Sequence, residues 1–96
     1  MSVRLVVTLR AAPGKGAELA ELYKGRCREV GQEPGCEQLE VFRSALDPDR
    51  LVLMERWTDQ AALDAHARRD VGRPPLRPDL RAGAGEREDY EYKRTR

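Results

Sequence analysis

The chain has 96 residues, 40% of them apolar and 36% charged, with eighteen Lys and Arg against seventeen Asp and Glu for a net charge of +1. That length holds one domain, residues 1–96, and no second. The apolar residues are too regularly placed for a disordered chain, and the near-neutral balance with 5% aromatics argues against a nucleic-acid binder.

The charge is modestly uneven: residues 1–65 carry nine bases and eleven acids (−2), residues 66–96 nine bases and six acids (+3). No apolar run reaches the roughly 20 residues of a membrane span. Met1-Ser2-Val3-Arg4 leads straight into strand pattern and not into a signal peptide. The expectation is a soluble, cytoplasmic protein with neither membrane nor nucleic acid as partner. Cys27 and Cys36 stand nine apart without a C-x-x-C spacing, which reads as two ordinary thiols in a reducing compartment. With a single histidine in the chain, a structural zinc site lacks ordinary ligands, so no metal is expected.

Residues 3–10 are a β-branched run with Val3, Leu5, Val7 and Leu9 on one face and Val6 and Thr8 on the other. Ala11 to Gly16 break it. Gly14-Lys15-Gly16 lacks any Walker or dinucleotide spacing and reads as a plain turn, although a helix N-terminus can hold an anion. A helix follows over about 17–33, with Leu19, Leu22, Tyr23, Cys27 and Val30 in one apolar stripe, and Pro34-Gly35 end it.

Residues 37–44 alternate, with Leu39 and Val41 opposite Phe42. Asp47-Pro48-Asp49 form a turn, and residues 51–57 make the best strand in the sequence, so the two strands read as a hairpin. Thr58 can cap a second helix over about 59–69, with Asp59 and Asp64 ahead of Arg68 and Arg69 in the order the helix dipole favours. Its inward face is Ala62, Leu63, His66 and Ala67. Residues 72–85 hold three prolines and three glycines, a loop with a short helical turn near 76–80. Residues 86–94 alternate again, Tyr90 and Tyr92 on one side and Asp89, Glu91 and Lys93 on the other.

The order is β-α-β-β-α-β, an α+β ferredoxin-like sandwich with an antiparallel four-stranded sheet and both helices on one face. Val6, Thr8, Phe42, Val52 and Met54 line the other face, which no helix is left to cover. A patch of that size rarely stays wet, and the same face of a second subunit is the simplest cover. A homodimer through the sheet is therefore expected.

Strand parity turns Leu53, Glu55 and Trp57 toward the helices. A carboxylate approaching a core needs a partner or a raised pKa, and an arginine at the sheet end is the plain candidate for Glu55. Trp57 reads as a core plug with its N–H satisfied, or as one wall of a pocket together with Leu19 and Tyr23. His66, the only imidazole, is either a packed helical residue or a base working near neutral pH beside Trp57. No G-x-S-x-G, no cysteine–base pair and no paired-carboxylate motif occurs.

The segment from Val52 to His66 joins an apolar strand, Glu55-Arg56-Trp57, the cap Thr58-Asp59 and Ala62-Leu63-Asp64-Ala65-His66. It resembles the signature of the antibiotic-biosynthesis-monooxygenase domain family. Pro13-Gly14-Lys15 and Pro34-Gly35-Cys36 match as well, and the resemblance covers about residues 3–70. From Arg68 on the sequence departs: the family continues with small, apolar and aromatic residues where this chain has Asp70-Val71-Gly72-Arg73-Pro74-Pro75.

The resemblance implies a dimeric α+β barrel. It also implies one of several activities: cofactor-independent oxygenation of anthrones and quinols, haem degradation, or isomerisation of a signalling sugar derivative. The tryptophan matching Trp57 lines the cavity in the anthrone-oxidising members, and an asparagine of that branch is replaced here by Leu53. The iron-binding histidine of the haem-degrading members falls where this chain has Leu76 and Arg77.

Taken together, these readings favour a cofactor-independent monooxygenase acting with molecular oxygen on a phenol, quinol or anthrone. His66 would be the base, Glu55 its orienter, and Trp57, Tyr23, Leu53 and Leu19 would bind substrate. An isomerase or cyclase using the same base stands beside it, as does a non-catalytic dimeric binding module, which would have a filled cavity.

Overall fold

A computed structural model of the chain describes residues 1–96. β1 (Val3–Arg10) is followed by α1 (Gly16–Val30), the hairpin β2 (Cys36–Arg43) and β3 (Arg50–Trp57), α2 (Gln60–Val71), a 3₁₀ turn (Pro78–Leu80) and β4 (Glu86–Glu91). The strands form one antiparallel sheet in the order β2-β3-β1-β4. This is the ferredoxin-like α+β arrangement, with the two central strands, β1 and β3, provided by the most apolar strand segments of the sequence.

Strand register decides what each face carries. Leu5 lies opposite Glu55, Val7 opposite Leu53 and Leu9 opposite Leu51, and Leu39 and Val41 continue that row on β2. These residues face the helices. Val6–Met54, Thr8–Val52 and Phe42–Val52 form the pairs on the open face, where Phe42 stays 48% exposed. Tyr90 pairs with Arg4 on the same face, and the Tyr92 ring lies under the guanidiniums of Arg4 and Arg56 at 5.0 and 4.7 Å, a cation–π arrangement.

Helix ends differ from the sequence expectation in instructive ways. α1 stops at Val30 rather than at residue 33, because the bonds Gln32 N–H to Glu29 and Glu33 N–H to Val30 tighten the chain into turns. Gly35 then takes φ +84, and a side chain there would overlap the Ala62 Cβ of α2. The close approach of turn and helix thus requires glycine. The cap of α2 is Asp59, not Thr58: its Oδ1 accepts from the Ala62 N–H at 2.8 Å. β4 ends at Glu91, short of residue 94.

Gly14-Lys15-Gly16 is a turn whose N–H groups are already taken. Those of Gly14 and Gly16 donate to the two carboxylate oxygens of Asp49 at 2.9 and 3.0 Å, which ties the start of α1 to the β2–β3 hairpin.

The core has two parts. Leu9, Ala11, Leu19, Leu51 and Leu80 form one cluster, closed by the 3₁₀ turn. Leu5, Val30, Trp57 and Leu63 form the other, between the sheet and both helices. Only twelve of the 96 residues are buried, so the chain alone has a thin core for its length. No helix is long and apolar enough to cross a membrane.

Candidate active site

A cavity of about 660 Å³ opens between the two core clusters, within the roughly 300–1,000 Å³ range of small-molecule sites. Its floor is the sheet, through Leu5, Val7, Leu39, Leu53 and Glu55; α1 contributes Tyr23, Cys27 and Val30, and α2 contributes Leu63, His66 and Ala67. Besides Glu55 and His66, the polar groups of its lining are Arg26, Gln60, Asp64, Asp70 and Arg87, against ten hydrophobic residues.

His66 is fixed from three sides. Its ring stacks on Trp57, with centroids 4.7 Å apart and planes at 24°. Its Nδ1 lies 3.1 Å from Oε1 of Glu33. Its side chain is only 14% exposed. Burial pushes the Glu33 carboxyl up, but hydrogen bonds from Arg73, His66 and Arg69 outweigh it and hold the group below the usual carboxylate range. An ionised carboxylate can only accept. The hydrogen therefore sits on Nδ1, and in the neutral ring Nε2 is left as the acceptor. A single histidine with an assigned tautomer, on the wall of an apolar cavity, is equipped to take a proton.

Glu33 is a hub. Arg69 donates to its Oε1 at 3.1 Å, and Arg73 donates to its Oε2. Arg73 also reaches Glu29 and Asp70, so the segment after α2 is clamped onto the end of α1. Glu33 as the partner of His66 is not legible in the sequence. The helix expected through residue 33 hid it, and only the early stop at Val30 swings it toward α2.

Glu55 does not pair with an arginine, and it does not orient His66. Its Oε1 accepts from Trp57 Nε1–H at 3.0 Å. Burial raises its pKa, opposed by that hydrogen bond and by the charges of His66 and Arg87. Arg87 is held instead by Asp89, through two hydrogen bonds.

Tyr23, Leu53, Glu55 and His66 are therefore brought together on one cavity. Trp57 and Leu19 are not on its wall: both are 0% exposed and lie inside the two core clusters. Trp57 acts on the site from behind, through its ring against His66 and its N–H on Glu55. Cys27 does reach the cavity, but burial, the charge of Glu55 and the neighbouring Cys36 push its thiol up to about 11, which leaves it a weak nucleophile at neutral pH. No three His, Cys, Asp or Glu side chains converge as a metal site would require.

The family model described as antibiotic biosynthesis monooxygenase matches residues 2–71. No curated protein matches the chain. Among solved structures, a conserved protein of Methanosarcina mazei Go1 superposes with TM-score 0.81 at 27% identity, covering 97% of this chain and 94% of that one. A protein described as an antibiotic biosynthesis monooxygenase gives TM-score 0.77 at 25% identity, covering 96% and 99%. A protein of Pseudomonas aeruginosa gives TM-score 0.77 at 22% identity, covering 97% and 95%, and shares the fold.

Proposed function

The chain belongs to the antibiotic biosynthesis monooxygenase family, and on that premise we propose that it is a cofactor-independent monooxygenase acting on a phenol, quinol or anthrone. The observation that carries this reading is His66, held by Glu33 at 3.1 Å and set on the wall of an apolar cavity. Such substrates react with oxygen poorly while neutral. Once deprotonated, the phenolate or carbanion can pass an electron to O₂, and the two radicals combine into a C–O bond. The resulting hydroperoxide loses water.

For an anthrone the methylene carbon becomes a carbonyl; for a hydroquinone the product is a hydroxyquinone. In both cases one oxygen atom stays in the product and the other leaves as water. The substrate supplies all four electrons, so no external reductant enters the balance. The protein's part is to bind the ring away from water, remove the proton and keep the conjugate acid in place. His66 takes the proton at Nε2, and Glu33 steadies the imidazolium. Tyr23 and Leu53 bracket the ring.

An accessory module with a filled cavity is disfavoured by the roughly 660 Å³ left open beside His66. The functional unit is a homodimer through the open sheet face, where Val6, Thr8, Phe42, Val52 and Met54 have no cover within the chain. Oxygen consumption with a panel of hydroquinones and anthrones tests the reading. Uptake that depends on the protein supports it, and none with any of them contradicts it.

A further inference from the structure

The segment after α2, where the sequence leaves the family pattern, builds a second cavity of about 320 Å³. Pro74, Pro75, Leu76 and Pro78 form its apolar side, and Arg26, Arg73 and Arg81 reach it with only Asp70 as a counter-charge. The two cavities adjoin, since Tyr23, Arg26 and Asp70 are walls of both.

The three guanidiniums are not equivalent. Arg73 is fully engaged by Glu29, Glu33 and Asp70. Arg26 donates to the Pro74 carbonyl at 2.9 Å and stands 3.9 Å from Asp70. Arg81 has neither arrangement: its Nε is buried and has no hydrogen-bond partner at all. The chain fixes that arginine by its backbone, through the bridge of Ala11 with Arg81 and the bonds of the 3₁₀ turn.

A buried N–H without an acceptor is costly, and native proteins rarely leave one without a purpose. The three prolines of this wall offer no N–H to compete for an acceptor. Asp70 is taken up by Arg26 and Arg73, so within this cavity Arg81 Nε–H has no acceptor.

We propose that the second cavity is a subsite for a carboxylate, and that the substrate is a hydroxylated aromatic acid. Its ring lies in the first cavity beside His66, and its carboxylate lies past Tyr23 against Arg81 and Arg26. The proposal rests on the oxygenase reading for the ring's position and adds what that reading leaves open, the substituent that selects the substrate. Arginine suits this task because its planar fork can donate two parallel hydrogen bonds to a carboxylate.

The test is calorimetric titration without oxygen, so that binding is read apart from turnover. The probes are 2,5-dihydroxybenzoate, 2,5-dihydroxyphenylacetate and 3-(2,5-dihydroxyphenyl)propanoate, which differ in spacer length, each beside its methyl ester. At least one acid is expected to bind about tenfold or more tighter than its ester, a preference that declines from low to high salt. Arg81→Gln is expected to remove the preference, leave ester affinity within about twofold and not lower the thermal midpoint, since it removes a buried N–H that has no acceptor. Arg77→Gln, at an exposed arginine paired with Asp79, is expected to keep it.

Equal affinity for acids and esters, no acid binding at millimolar concentration, or a preference that survives Arg81→Gln overturns the subsite. If the Arg81→Gln chain folds poorly, the salt dependence in the unmodified chain decides, and a preference indifferent to salt overturns it too. Oxygen uptake with neutral hydroquinones is untouched by any of these outcomes and judges the oxygenase reading separately.

Discussion

The Nδ1 of His66 on α2 lies 3.1 Å from Oε1 of Glu33, which sits in the turn after α1. This contact ties the only imidazole to a buried carboxylate, and the same carboxylate collects Arg69 and Arg73. Orientation of the base and anchoring of the chain after α2 are thus one cluster.

Glu33→Gln separates these roles. The amide can donate as well as accept, so the hydrogen is no longer confined to Nδ1, and turnover is expected to fall by about 10–10²-fold. The loss of charge beside the half-buried Arg73 is expected to cost about 2 kcal/mol, near 10 °C in Tm. The pH dependence has a defined sign. Glu33 is held below the usual carboxylate range, so its stabilisation is complete above that range and lost as pH falls through its folded value. Denaturant unfolding at a series of acidic pH values should show this loss in the unmodified chain and a smaller one in the variant.

Glu55→Gln has the opposite sign. The folded-state pKa of Glu55 is raised by burial, so the folded chain holds that proton longer than the unfolded chain. Stability falls as pH rises from the usual carboxylate range through the raised value. A glutamine oxygen can still accept from Trp57 Nε1–H. Thermal melts at neutral pH are therefore expected to place the variant a few degrees above the unmodified chain. A variant melting well below it would mean that the charge itself holds the cavity floor.

The elements that read clearly from the sequence are those in which periodicity and burial agree. β1 and β3 read as strands because both are short apolar runs bounded by turns, with apolar residues on both faces, and the apolar stripe of α1 gives the helix its face. Leu39 and Val41 opposite Phe42 give the parity of β2. Glu33 did not read because no periodic signal distinguishes a carboxylate at a helix end from one in the turn just past it. The geometry depends on backbone bonds at Gln32 and Glu33 and on Gly35. Trp57 was legible as a core plug and as a neighbour of His66, but its separation from the cavity follows from three-dimensional packing against Leu5, Val30 and Leu63. Residues 72–85 have no period, and the place of Arg81 is set by a lone bridge to Ala11, which sequence pattern cannot foresee.

The open sheet face predicts the assembly. Sedimentation of the unmodified chain at micromolar concentration should give about twice 10.9 kDa. Val52→Arg or Met54→Arg would set an unpaired charge against its symmetry mate and should yield monomers, a cost of several kcal/mol to association. A sharp monomer for the unmodified chain would show that some other group covers Val52, Met54 and Phe42.

The most direct measurement is the oxygen-consumption rate as a function of pH for the unmodified chain and His66→Ala, with a hydroquinone or anthrone that the unmodified chain oxidises. As the base, His66 gives the pH–rate profile a rising limb. The alanine variant then loses that limb and about 10²–10⁴-fold in turnover, while remaining folded by circular dichroism. If the variant keeps both the pH limb and the rate per folded molecule, His66 is a packed residue and the account of this cavity is wrong.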